Sequence, residues 1–322
     1  MSSKTPSEVK AAEEPHSEIA GLLQQMGAAP APTFESLSPE GARKLIRQMF
    51  PVPENPEPVG DTMDLSIGDE GIPIRVYIPE GEGPYPTLLY IHGGGWVVGD
   101  LDIYDATCRA ITNEADCMVV SVGYRLAPEH KFPTPLEDCY TAAEWIFETA
   151  EPMQIDTENI AIGGDSAGGN LAAAVTLLAH ERDGPSFDHQ VLIYPVTDHS
   201  FDTTSYEENA EGYLLTKPAM EWFWEHYLRD DLDGKSPYAS PLQAQTLQGL
   251  PSATVVTCGF DPLCDEGAAY AARLEEADVD VSHHHYDDAI HGIAQMLVDP
   301  MDLTRGRELI SDIATDLQQT FN

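Results

Sequence analysis

Ser166 lies in Gly164-Asp165-Ser166-Ala167-Gly168, a Gly-x-Ser-x-Gly match with an apolar run before it and a helix-forming run after it. That setting suits a nucleophile elbow, a strand–turn–helix corner that presents a serine at its tip. The flanking glycines suit a turn too tight for side chains. A serine hydroxyl attacks poorly until a base takes its proton. The base in turn needs a carboxylate to hold its tautomer. On such elbows the chain order is serine, acid, histidine. Asp261 closes Cys258-Gly259-Phe260-Asp261, just past an apolar run, and His291 follows the next such run in Asp287-Asp288-Ala289-Ile290-His291-Gly292. Asp265 reads better as an N-cap or first-turn residue of the following helix. Asp287 and Asp288 stay open as acidic surface.

Acyl transfer also needs donors for the oxyanion. His92-Gly93-Gly94-Gly95-Trp96 directly follows the apolar run 87–91. Its glycines let backbone N–H groups approach a substrate closely. The residue after an elbow serine, here Ala167, supplies a further N–H. Gly-Asp-Ser-x-Gly-Gly also occurs around the serine of chymotrypsin-like proteases. Those place histidine and aspartate before the serine, and this chain has the opposite order.

The elements that must position these groups alternate. Apolar runs at 74–78, 87–91, 118–122, 160–162, 191–194, 254–257 and 279–286 read as strands, the last less plainly. Segments 103–114, 136–149, 170–181 and 266–276 between them read as helices. Short buried strands alternating with helices give a mainly parallel sheet covered on both faces. Ligands then bind at the carboxyl ends of the strands. Before this core, 17–26 and 39–49 read as amphipathic helices, the second with Ser38 as N-cap and Pro39 at its first position. Four prolines between Pro51 and Pro58 mark an extended linker. The stretch 197–233 interrupts the alternation as a helical insertion.

Together the motifs resemble the hormone-sensitive lipase family of α/β-hydrolases, in its bacterial and archaeal carboxylesterase branch. The matching stretches are His92-Gly-Gly-Gly-Trp96, Tyr124-Arg-Leu-Ala-Pro-Glu129, Gly164-Asp-Ser-Ala-Gly-Gly169, Glu211-Gly-Tyr-Leu-Leu-Thr216, Ser240-Pro-Leu242, Asp261-Pro-Leu263 with Asp265-Glu-Gly267, and His291-Gly292. The resemblance implies an α/β-hydrolase fold with a helical cap. It implies a Ser166–His291–Asp261 triad, with Gly94, Gly95 and Ala167 as the oxyanion hole and His92 and Gly93 shaping the loop. Residues 1–55 and 197–235 would form the cap, and 56–196 and 236–322 the two parts of the core. Trp96, Asp165 and Ile293 are expected to border the substrate pocket. Three positions depart from common relatives: Gly123, Cys264 and Ile293 stand where aspartate, arginine and phenylalanine are frequent. None removes a group the chemistry needs. No cofactor is implied, and the substrate is a small ester. A true lipase and a non-catalytic binding protein are the alternatives. Retention of His291 favours an enzyme.

Composition sets the surroundings. The 322 residues carry 55 Asp and Glu against 16 Lys and Arg, a formal net charge of −39. The acids are scattered as pairs such as Glu207-Glu208, Asp230-Asp231 and Glu275-Glu276, so the whole surface is acidic. Nucleic acid and anionic membranes are then unsuited partners. Strong net charge of this kind predicts adaptation to high salt. No apolar run is long enough for a membrane anchor, and the polar start of the chain lacks a secretory signal. Five cysteines in no metal or redox pattern suit free thiols in a reducing, cytoplasmic setting. His283, His284 and His285 suggest a metal, but a strand sends neighbours to opposite faces, and no metal site is expected. Nothing in the sequence decides between monomer and homo-oligomer.

Overall fold

The computed structural model describes residues 9–28 and 32–321. The parts of the N-terminal readings that fall on 1–8 and 29–31 lie outside the described residues. The apolar runs pair into one eight-stranded sheet: β1 (Asp61–Ile67), β2 (Ile72–Ile78), β3 (Tyr85–Ile91), β4 (Met118–Val122), β5 (Ile155–Asp165), β6 (His189–Ile193), β7 (Ser252–Phe260) and β8 (Val281–Ile290). Their spatial order is β1-β2-β4-β3-β5-β6-β7-β8. The β1–β2 and β2–β4 pairs are antiparallel, and every other pair is parallel.

Period-two alternation divides the core between the two faces. Leu89, Ile91, Ile160, Ile162, Leu192 and Val255 point to one face. Leu88, Tyr90, Ala161, Val191, Ile193 and Val256 point to the other. Both sets are buried, as strands covered on both faces require. The helices are α1 (Ser17–Gly27), α2 (Pro39–Met49), α3 (Asp105–Ala115), α4 (Thr134–Glu148), α5 (Ala150–Met153), α6 (Ala167–Arg182), α7 (Thr204–Glu208), α8 (Lys217–Tyr227), α9 (Cys264–Glu276) and α10 (Thr304–Thr320). The first core face is covered by α4, α6 and α9, and the second by α3 and α10.

Local chemistry explains several boundaries. Ser38 Oγ accepts from Gly41 N at 3.2 Å and Pro39 opens α2, the pairing expected at a helix start. Asp265 falls in the first turn of α9, where its carboxylate accepts from Ser205 N at 2.8 Å. β8 sets His283 and His285 on one face, both on Thr257 Oγ1, and sends His284 to Asp316 on the other. Besides the four-residue α5, the elements β1 and α10 are not among those read from the sequence. β1 is an edge strand with mostly exposed residues, so no apolar alternation announces it. α10 buries Leu309, Ile310, Ile313, Ala314 and Leu317, a helical spacing that was legible but not read. All five cysteines are free and buried. Among the described residues no helix is long and apolar enough to cross a membrane.

Two buried histidines make the fold acid-sensitive. Burial pushes His92 and His189 down to about 4. The unfolded chain takes up those protons first, near pH 6.5. Stability is therefore full above that pH and is lost as pH falls toward 4, by about 3 kcal/mol for each histidine. Denaturant titrations between pH 7 and 4, run in molar salt to screen the carboxylates, check this. The midpoint falls with pH in the native protein and falls less in His189→Gln.

Candidate active site

Four adjacent or near-adjacent parallel strands deliver the reactive groups from their carboxyl ends. β3 runs into His92, β5 into Ser166, β7 into Asp261 and β8 into His291. Ile91 pairs with Gly164, which sets the ends of β3 and β5 level, and Phe260 pairs with Ile290, which does the same for β7 and β8.

Ser166 has φ 56° and ψ −119°, a conformation that costs a non-glycine residue about 1–3 kcal/mol. The surroundings hold it there. Ser166 N donates to Ile193 O at 2.8 Å, and Val196 N donates to Ser166 O at 3.3 Å. A Cβ at Gly168 would overlap Ile91 O, so α6 can approach β3 this closely only with glycine there. Ser166 Oγ lies 2.9 Å from His291 Nε2, and His291 Nδ1 lies 2.7 Å from Asp261 Oδ2. Asp261 is fully buried, while Ser166 and His291 are 7% and 8% exposed. The other oxygen, Asp261 Oδ1, accepts from Leu263 N at 2.9 Å. The Tyr194 ring packs on the imidazole, centroids 4.5 Å apart.

This chain of groups opens on an apolar cavity, about 670 Å³ counting its solvent-open mouth. Gly94, Gly95, Ser166 and His291 line its floor. Phe34, Ile46, Met49 and Phe50 from the N-terminal segment, with Leu214, Leu215, Met220 and Phe223 from the insertion, line much of the rest. Ala167 opens α6, where the first amide groups have no intrahelical acceptor. Arg43 of α2 ties the N-terminal segment to the glycine loop: its Nε donates to Val97 O at 2.8 Å and Nη2 to Ala127 O at 2.9 Å. His92 Nδ1 donates to Gly93 O at 2.8 Å, and its ring stacks on Tyr124.

The three residues expected to border the pocket do not line it. Trp96 is fully buried; its ring stacks on Tyr227 at 4.1 Å with 4° between planes, and Trp224 lies against it. The ring is thus consumed in packing α8 onto the loop. Ile293 is fully buried in the core facing α3 and α10, and Gly292 and Gln295 of the same turn reach the cavity instead. Asp165 lies beneath the floor, with all its oxygens hydrogen-bonded to neighbouring groups. The sequence reading missed Tyr104, Gln295 and Tyr194, whose parts depend on contacts distant in the chain.

The family described as having the alpha/beta hydrolase fold matches residues 88–295. The chain is an α/β-hydrolase. Carboxylic ester hydrolase LipN of Mycobacterium tuberculosis is 45% identical to this α/β-hydrolase over 244 residues, 73% of this chain and 65% of that protein. An arylesterase of Saccharolobus solfataricus is 35% identical over 277 residues, 85% of this chain and 90% of that protein. Among solved structures, the ester-hydrolase EH1AB1 from the metagenome of Lake Arreo superposes on the hydrolase with a TM-score of 0.90 at 38% identity, covering 95% of this chain and 99% of that one.

Proposed function

We propose that this α/β-hydrolase is a carboxylesterase that cleaves short- to medium-chain carboxylic esters by double displacement. The observation that carries the reading is the unbroken hydrogen-bond path from Asp261 through His291 to Ser166 at the floor of an apolar cavity. His291 Nε2 takes the Ser166 proton as Oγ attacks the ester carbonyl. Gly94, Gly95 and Ala167 hold the oxyanion through their N–H groups, each typically contributing about 10²–10³ in rate. His291 then returns its proton to the leaving alcohol. Water, deprotonated by the same nitrogen, hydrolyses the acyl-enzyme and restores Ser166. Asp261 keeps Nδ1 protonated and stabilises the imidazolium. No step calls for a cofactor.

In this reading the described residues of 1–55 and 197–235 form the cap, and those of 56–196 and 236–322 the catalytic core. The cap contribution to the cavity is wholly apolar at the eight side chains named above, which suits neutral acyl and alcohol groups. Among the described residues, the exposed large apolar side chains are Val52, Leu65 and Leu232. These are scattered, whereas action at a lipid interface needs a contiguous apolar patch. The expected profile is therefore fastest on dissolved short- and medium-chain p-nitrophenyl esters, with no jump in rate at the solubility limit. A jump on triglyceride emulsions would make the enzyme a lipase. Absence of turnover on any ester, with Ser166 inert to a fluorophosphonate, would make it a binding protein.

The acidic surface supports a further part of the proposal, that the enzyme needs high salt. Among the described residues several of its few cations are already engaged: Arg43 with Glu129, Arg75 with Asp64, Asp102 and Asp105, Arg125 with Asp138 and Glu70, and Arg305 with Asp288 and Glu308. With 55 Asp and Glu against 16 Lys and Arg, most carboxylates have only solvent cations to neutralise them.

A further inference from the structure

Asp165 precedes the proposed nucleophile, is fully buried and touches no part of the cavity. Its carboxylate is the meeting point of four donors from three separate stretches of chain. Oδ1 accepts from Tyr90 OH at 3.0 Å and from Gly93 N at 2.9 Å. Oδ2 accepts from Tyr104 OH at 3.2 Å and from Gln295 Nε2 at 3.1 Å. Gly93 belongs to the glycine loop, whose next two residues line the cavity floor. Gln295 ends the turn that begins at His291. Tyr104 and Gln295 also line the cavity, and both spend a polar group on Asp165 rather than on a ligand.

Gly93 lies hard against this carboxylate. Its backbone φ is unremarkable, yet a Cβ there would lie 2.5 Å from Asp165 Oδ2 and 2.7 Å from Asp165 O. The glycine is required for its closeness to this carboxylate. Burial pushes the Asp165 carboxyl up from its ordinary range, and the Tyr90 and Gly93 hydrogen bonds draw it back. A buried carboxylate saturated by donors is a rigid joint, because releasing any donor leaves a buried polar group unpaired.

We infer that Asp165 is a positioning residue that locks the glycine loop and the His291 turn to the nucleophile elbow, so that the oxyanion donors are set before substrate arrives. The inference rests on the esterase reading above. It assigns Asp165 no contact with the reacting atoms. Its effect is on the distance between the loop N–H groups and the oxyanion, where an error of about 1 Å can cost about a hundredfold in rate.

Asp165→Ala removes every acceptor, and Asp165→Asn keeps one oxygen for Gly93 N and Tyr90 OH. Both are assayed on p-nitrophenyl acetate, with rates expressed per site titrated by a fluorophosphonate, so that misfolded protein is not counted. The expected result for Asp165→Ala is a kcat about a hundredfold lower with KM nearly unchanged. Inhibition by a trifluoromethyl ketone, which forms the tetrahedral adduct, weakens in the same proportion. Asp165→Asn recovers about tenfold of that loss. Wild-type kcat per titrated site in either variant overturns the inference, as does a KM that rises in step while kcat holds. If Asp165→Ala does not fold, Asp165→Asn decides: a smaller kcat with unchanged KM supports the joint, and wild-type turnover overturns it. Activity surviving in Ser166→Ala would overturn the underlying reading instead, and the two failures are distinct.

Discussion

Replacing Ser166 by alanine lowers kcat on p-nitrophenyl esters by roughly 10⁶-fold, the size of loss seen when a serine of this kind is removed elsewhere. The substitution deletes one oxygen from a residue that is 7% exposed. Its backbone bonds to Ile193 and Val196 do not involve the side chain, so the elbow and the fold survive. Loss of Oγ leaves His291 Nε2 without its partner at 2.9 Å and leaves the cavity walls intact. Binding of a non-hydrolysable ester analogue is therefore nearly unchanged while turnover disappears. What remains is about 10³–10⁴ over the uncatalysed reaction, from the oxyanion donors and substrate binding. A steady-state comparison of kcat and KM, with circular dichroism as the folding control, checks the prediction. Undiminished turnover would remove Ser166 from the mechanism.

The second large effect is on stability. Two like charges 10 Å apart repel by about 0.4 kcal/mol in water. The chain carries a formal net charge of −39, so many such pairs act together against a native state only about 5–15 kcal/mol below the unfolded chain. In molar salt the Debye length is about 3 Å and these pairs fall silent; in dilute buffer it reaches about 30 Å and they do not. The expected result is progressive loss of helix signal and of esterase activity as NaCl or KCl is removed, with recovery on its return. The ion pairs do not prevent this, since a solvent-exposed pair such as Arg182–Glu137 contributes at most about 1 kcal/mol. A protein fully folded and active in dilute, divalent-free buffer would contradict the salt requirement.

Much of the architecture was legible because its signals are local. The apolar run before Ser166 and the helix after it fixed one corner of the site. Ser38 and Pro39 marked the start of α2 at the residue where it begins. The parallel sheet followed from alternation, and with it the rule that chemistry gathers at strand ends, where Ser166, Asp261 and His291 lie. What was not legible depends on the third dimension. Trp96 stands beside the glycine loop in sequence, but with φ 61° it turns toward Tyr227 and away from the cavity. Gln295 reaches Asp165 across 130 residues of chain, and no spacing announces that bond. The edge strand β1 was invisible for a simpler reason: a strand exposed along most of its length needs no apolar pattern.

The central claim is that Ser166 Oγ forms a covalent acyl-enzyme with the help of His291. The most direct test is intact-protein mass spectrometry after brief reaction with a fluorophosphonate, followed by peptide mapping. The expected result is one adduct per chain, on Ser166, absent in Ser166→Ala and formed far more slowly in His291→Ala. An adduct on another residue, or full esterase activity in protein whose Ser166 is quantitatively labelled, would contradict it.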